Sequence, residues 1–430
     1  MKRYETYKDS GIQWWEEIPT HWDLKKAKHM FSLVTENVSD SSLPKIALEN
    51  IESWTGKYIE TDSDFMGEGV EFKKDDILFG KLRPYLAKVY KAEFAGQAVG
   101  DIYVFRGNEE QNPKYLKYLL LSYPFISVVD GSTYGAKMPR ANWDFISHLV
   151  LPCPPKTEQV TIAAYLDHKV SQIDATIAEK EQMLEDLKNY RSAIISEAVT
   201  KGLDKNVEMK DSGVECIGMI PKHWKINKLK FFADISTGTT PSTDNEEYWK
   251  EPTENWYTPS DFCEENVHLE TSSRKVSATA FQESACRVFK KDVVLVVGIG
   301  ATLGKIGISS VECSANQQIN AIEFYDNVYP LFGAYYLSSL KEVMKSLASA
   351  ATLAIMNQSV TGSIPFVCPT LDEQKEIADY LEKKTKSIGS LLNQIEVQID
   401  ELKSYKSVLI TEAVTGKIDL REWKPKEDNV

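Results

Sequence analysis

Two stretches of the chain repeat apolar residues at alternating steps of four and three. One runs through Ile173, Ile177, Leu184, Leu187, Ile194 and Ala198. The other runs through Ile388, Leu392, Ile395, Ile399, Leu402, Leu409 and Ala413. So narrow a stripe predicts a long helix packed along a second helix, rather than one laid on a domain surface. Polar residues interrupt it at Lys180 and Arg191 in the first stretch and at Lys406 in the second. Gly202 and Gly416 predict the helix ends, because glycine takes the left-handed conformation that follows a last helical turn. Thr157 and Asp372 follow Pro-containing stretches and are expected N-caps. The period then changes. DILFG (Asp76–Gly80), DIYVF (Asp101–Phe105), DVVLVVGIG (Asp292–Gly300) and AIEFY (Ala321–Tyr325) predict strands, with PKYLKYLLLSY (Pro113–Tyr123) and PLFGAYYLSSL (Pro330–Leu340) as helices beside them.

The elements come in two copies. IPTHW (Ile18–Trp22) returns as IPKHW (Ile220–Trp224), each preceded by Lys-Asp-Ser-Gly in the same register. PCPPKTEQVTIAAYLDHK (Pro152–Lys169) faces VCPTLDEQKEIADYLEKK (Val367–Lys384), and the match continues to LKNYRSAIISEAVT (Leu187–Thr200) against LKSYKSVLITEAVT (Leu402–Thr415). The blocks between agree weakly, as in KKDDILF (Lys73–Phe79) and KKDVVLV (Lys290–Val296). The expected fold is therefore α+β: two similar domains separated by two long helices, packed as an antiparallel coiled coil with a pseudo-two-fold internal repeat. An antiparallel pair places each domain between the end of one helix and the start of the other. A parallel pair would make both domains span the whole rod.

Composition narrows the class. No run of eighteen apolar residues exists and MKRYETYKDSG is too polar for a signal peptide, which points to the cytoplasm. Six scattered cysteines without a C-x-x-C pair predict reduced thiols and no metal site. The net charge of −13 argues against a surface coated with phosphate-binding residues, but a local basic stripe could still meet DNA. GIGATLGK (Gly298–Lys305) has one residue too many between its glycines for a dinucleotide or phosphate loop, and Ile306 stands where Mg²⁺ would need Ser or Thr. It reads as a glycine-rich turn. Glu382-Lys383-Lys384 and Glu401-Leu402-Lys403 read as charges on the helix surface, and His21 and His223 as residues packing beside Trp22 and Trp224. No catalytic centre emerges, and no cofactor is expected.

Two stretches interleave cations, amides and aromatics. KLRPYLAKVYK (Lys81–Lys91) offers Lys81, Arg83, Tyr85 and Lys88; TYGAKMPRANW (Thr133–Trp143) offers Lys137, Arg140 and Asn142. Cations meet phosphates, Arg matches guanine and Asn or Gln matches adenine, so these residues are candidates for DNA contact. The second block offers Thr240, Lys305, Gln317, Asn357 and Gln358 in the corresponding regions, with fewer charges. Taken singly, each stretch could equally be a solvated strand face.

Together, IPTHW and IPKHW, the helix starts PCPPKTEQ and CPTLDEQ, GAKMPRANWDF (Gly135–Phe145) and STGTTPSTDNEEYW (Ser236–Trp249) resemble the specificity subunits of type I restriction–modification systems. The resemblance covers essentially the whole chain; Lys156 departs from it by replacing an apolar residue before Thr157-Glu158-Gln159. It implies a non-catalytic protein with target recognition domains at 1–155 and 204–368, spacer helices at 156–203 and 369–418, and a tail at 419–430. It also implies the partners: double-stranded DNA, two modification subunits that carry S-adenosylmethionine and methylate adenine, and ATP-dependent restriction subunits that translocate and cut, with no membrane. The seam from Ile173 to Ala198 would be roughly 39 Å long at 1.5 Å per residue, close to the roughly 34–36 Å of one DNA turn. The helices could thus act as a ruler, and inserting one helical turn would lengthen the unread spacer between half-sites; an unchanged spacer would rule the ruler out. Three other readings stay open at this stage: a methyltransferase-only or other defence complex, a coiled-coil scaffold that binds proteins, and an enzyme built around Gly298–Lys305.

Overall fold

The computed structural model describes residues 2–12, 14–38, 43–61, 68–133, 137–348 and 355–425. Tyr134, Gly135 and Ala136 of the second basic stretch lie outside them. The chain divides into two compact units, Met1–Glu181 with Val397–Val430, and Gln182–Glu396.

In the first unit, strands Phe31–Val34, Ile102–Gly107, Ile77–Gly80 and Val89–Lys91 form an antiparallel sheet in that order. Ile77, Leu78 and Phe79 are all buried, which explains why this strand reads as an unbroken apolar run: both of its faces are covered. One side packs Leu78, Ile102 and Val104 with Phe72, Ile46 and Ala98 of a second sheet, Asn37–Val38, Gly69–Phe72, Gly96–Ala98 and Lys45–Ile46. The other side is aromatic: Phe105 lies 5.0 Å from Phe31, 5.7 Å from Phe79 and 5.3 Å from Trp143. The second unit repeats the plan with strands Ala233–Thr237, Ile319–Phe324, Val293–Val297, Ile306–Ser309 and His268–Leu269 in order, beside a smaller sheet of Lys275–Val276, Glu254–Tyr257 and Ser314–Ala315.

The long helices are Lys156–Lys201 and Leu371–Val414. Their seam residues are buried or half-buried, with exposed positions on either side. Within the first unit they run antiparallel: Lys180 Nζ donates to Gln398 at 2.7 Å, while Lys406 Nζ donates to Asp174 at 2.8 Å. Both helices begin one residue earlier than the expected caps, so Thr157 and Asp372 lie inside the first turn. At the second helix Thr370 does the capping, its N–H donating to Glu373 Oε2 at 3.0 Å and its Oγ1 accepting the Glu373 N–H at 3.4 Å.

The repeated letters have a shared structural task. Lys8 and Lys210 donate to the Trp22 and Trp224 carbonyls at 2.6 and 2.7 Å. Asp9 and Asp211 accept the N–H of Gly11 and Gly213, which take φ of +67° and +72°. Trp22 and Trp224 then close against the glycines that end the long helices. A Cβ on Gly416 would stand 3.1 Å from the Trp22 ring and 2.4 Å from Pro19, and one on Gly202 would stand 3.1 Å from the Trp224 ring. Both glycines have left-handed φ, as expected of C′ positions.

His21 and His223 do more than pack beside tryptophan. His21 Nε2 lies 2.6 Å from Glu158, whose other oxygen accepts Trp22 Nε1–H at 2.9 Å and the Tyr4 hydroxyl at 3.0 Å. His223 and Trp224 reach Glu373 at 2.8 and 3.2 Å. Burial works against the Glu373 carboxylate, yet hydrogen bonds from Thr370, His223 and Trp224 hold its pKa below the ordinary value. The neighbouring glutamines fasten the domain helices. Gln159 accepts the Asn112 N–H at 2.8 Å, and Gln374 accepts the Tyr329 N–H at 2.7 Å. The Glu-Gln pair at each helix start is thus a two-sided clamp.

Candidate nucleic-acid interface

A single turn scaffold, built once in each unit, gathers most of the candidate residues. In the first unit the Lys81 N–H donates to Asp101 O at 2.9 Å, the Ala141 N–H to Lys81 O at 2.7 Å, and Leu82 bridges Arg140. In the second, the Gly298 N–H donates to Gln318 O at 2.8 Å, the Met356 N–H to Gly298 O at 2.7 Å, and Ile299 bridges Ile355. Sequence-distant loops therefore meet at one end of two neighbouring inner strands of the main sheet in each copy. GIGATLGK is the turn of an antiparallel strand pair, Val293–Val297 with Ile306–Ser309, with no phosphate-binding helix behind it.

Backbone conformation matches position by position. Arg83 and Ala87 have φ of +51° and +46°, where the second unit has Gly300 and Gly304 at +74° and +83°. A side chain in this region costs roughly 1–2 kcal/mol relative to glycine. The fold accepts glycine at both places, so Arg83 carries a strain that its twin avoids. Its exposed side chain has no partner among the described residues, which leaves the guanidinium free for a ligand.

The remaining candidates fall into two groups. Tyr85 is exposed two residues after Arg83, and Lys137 is exposed two residues before Pro139, whose carbonyl accepts the Arg83 N–H at 2.8 Å. Arg140 is held by Asp101 through two parallel bonds of 3.0 and 3.0 Å. Lys81 lies 3.8 Å from Asp101 and 5.2 Å from the centre of the Tyr103 ring. In the second unit Thr240 donates to Gln317, and Gln358 donates to Thr237 at 2.9 Å, both at exposed positions. The others serve the scaffold. Asn142 and Asn357 are N-caps of Trp143–His148 and Gln358–Ser363. Lys88 donates to the Leu48 carbonyl, just after strand Lys45–Ile46, at 2.7 Å, and Lys305 to the Phe262 carbonyl, after strand Glu254–Tyr257, at 3.0 Å. Sequence reasoning missed Asp101, since an acid inside a basic stretch looks adverse to DNA until its two cationic neighbours are seen.

Of the two helix-borne Glu-x-Lys runs, Glu382 is not merely solvated: it accepts from the Tyr335 hydroxyl at 3.0 Å and pairs with His268 at 2.9 Å, while Lys403 lies 3.8 Å from Glu181. No helix among the described residues is long and apolar enough to cross a membrane.

Two copies of one α+β unit, each completed by halves of two long helices and each presenting different loop side chains on the same turn scaffold, define the class. The family described as type I restriction modification DNA specificity domain matches residues 32–188 and 221–401. The chain belongs to this family of specificity subunits, which are non-catalytic DNA-recognition subunits. It is 28% identical to the type I restriction enzyme MjaIX specificity subunit of Methanocaldococcus jannaschii over 43% of this chain and 44% of that one. It is 22% identical to the MjaX specificity subunit of the same organism, over 96% of this chain and 98% of that one. The EcoBI specificity subunit of Escherichia coli is 23% identical over 83% and 76% of the two chains. Among solved structures, a chain from a study of complex assembly and conformational transition of the type I R-M system shares the fold with a TM-score of 0.75, 17% identity and coverage of 93% and 99%. The HsdS subunit from Thermoanaerobacter tengcongensis has a TM-score of 0.51 at 17% identity, covering 93% and 98%.

Proposed function

We propose that this chain reads a two-part DNA target, one half-site through each unit, and directs adenine methylation and restriction by partner subunits. The observation that carries the reading is the pair of equivalent turn scaffolds with unlike side chains. One presents arginines and lysines, and the other presents amides and hydroxyls. A shared backbone with exchanged contact residues is what reading two different half-sites requires, because base edges are distinguished by donor and acceptor pattern. Arg83, Tyr85, Lys137 and Arg140 read or grip DNA in the first unit, and Thr240, Gln317 and Gln358 in the second. Lys88, Lys305, Asn142 and Asn357 shape the surface from behind, and Lys81 joins Arg140 at Asp101. The recognition domains are 1–155 and 204–368, with the spacer helices at 156–203 and 369–418 between them setting the unread spacer. The partners are two modification subunits carrying S-adenosylmethionine and ATP-dependent restriction subunits, acting in the cytoplasm.

The test is selection from a random duplex pool by the purified chain bound to its methyltransferase. Enrichment of two short half-sites at one fixed separation is the expected result. Binding without sequence preference would contradict the reading and favour a protein-interaction scaffold.

A further inference from the structure

Lys81, Asp101 and Arg140 form a charged cluster that the chain builds once and omits once. Their places in the second unit are held by Gly298, Gln318 and Ile355, as the matched backbone bonds establish. Those bonds are made in both units, within 0.1 Å in length, so the turn scaffold stands without any of the three charges. The cluster is therefore not what holds the loops. An ion pair as open as Arg140–Asp101, with half of the arginine side chain exposed, also adds little to stability.

What the pair does fix is orientation. Asp101 receives Nε–H and one Nη2–H of Arg140. Of the three remaining N–H groups, one on Nη1 and one on Nη2 point in parallel from the free edge of the planar guanidinium. That edge matches the O6 and N7 acceptors of guanine. Without the carboxylate, a half-exposed arginine would sample many rotamers and would meet any phosphate as readily as a base.

We propose that Asp101 is a positioning residue for sequence reading: it holds Arg140 so that the free guanidinium edge reads a guanine in the half-site met by the first unit. The second unit, with Ile355 in that place, lacks this reading. Asp101 also repels phosphate, so it favours discrimination over affinity. The inference rests on the two-part recognition proposed above.

The experiment is methylation mapping in a methylation-free host expressing the full chain with its methyltransferase, wild type against Asp101→Asn, Arg140→Gln and Arg140→Lys. Arg140→Gln is expected to relax one guanine in one half-site, with a loss of roughly tenfold or more in preference over the other bases. Asp101→Asn relaxes the same guanine and leaves the other half-site unchanged. Arg140→Lys keeps the charge but not the fork, so methylation persists with that guanine relaxed. Retained guanine preference in Asp101→Asn or in Arg140→Lys would overturn the inference. So would equal loss of methylation at all sites without a change in base preference, which marks a structural role. A wild-type complex that yields no two-part motif would instead overturn the proposed function itself.

Discussion

Replacing Trp22 by alanine is expected to destabilise the first unit by about 3–5 kcal/mol, the range for deleting a fully buried tryptophan. The ring is 0% exposed and lies against Gly416, where the second long helix ends. Its Nε1–H is one of three donors that satisfy the buried Glu158 carboxylate, so the cavity is compounded by an acceptor left short of a partner. Trp224→Ala should do the same to the second unit through Glu373 and Gly202. Trp22→Phe, which keeps most of the ring, should cost markedly less. Hydrogen exchange resolved by peptide separates the cases: each alanine variant should lose protection in its own unit first. Equal loss across both units, or none, would show that IPxHW is not a local clamp.

The largest contrast is expected at Lys406 and Arg191, which occupy the same place in the two long helices. Lys406→Met should destabilise by roughly 2–4 kcal/mol, because it leaves the largely buried Asp174 with Lys57 alone. Arg191→Met should stabilise by about 1–2 kcal/mol. Arg191 is equally buried, yet it donates to the Glu264 carbonyl at 2.8 Å, and its Nε has no partner among the described residues. Burial accordingly pushes its guanidinium pKa below the ordinary value. Chemical unfolding of the two variants should therefore shift the midpoint in opposite directions. A pH series checks the cause. Burial would raise the Asp174 pKa, but Lys406 and Lys57 outweigh it and hold the carboxyl below its unfolded value. Its stabilisation is thus complete above about pH 4, the unfolded value, and fades as pH falls through the lower folded one. Lys406→Met should flatten that acid limb. Shifts of the same sign in both variants would mean that the seam tolerates or rejects charge regardless of partner.

These two sites also mark how far the sequence could be read. Periodicity found the seam and placed Lys406 and Arg191 in it, because apolar spacing is a local property. It could not tell a paired cation from a lone one, since Asp174 lies on the other helix. The repeat was legible for the same reason: IPxHW and the Glu-Gln helix starts keep their register within each copy. Their union was not, because the blocks joining His21 to Glu158 and His223 to Glu373 differ in length and share no spacing. Among the candidate contacts, charge and amide chemistry selected Lys88, Lys305, Asn142 and Asn357 together with Arg83 and Arg140. Only folding separates those that bond to the scaffold from those left facing outward. Arg83 is distinguished by a left-handed backbone that no composition or pattern displays, and Asp101 by two cations brought to it from either side.

The central claim is that two units read two half-sites. Single-molecule methylation mapping of a methylation-free host, with its methyltransferase expressed in the presence and absence of this chain, tests it most directly. The account predicts one two-part motif with methylated adenine, present only with the chain. A soluble complex of the two proteins that leaves no such motif would contradict it.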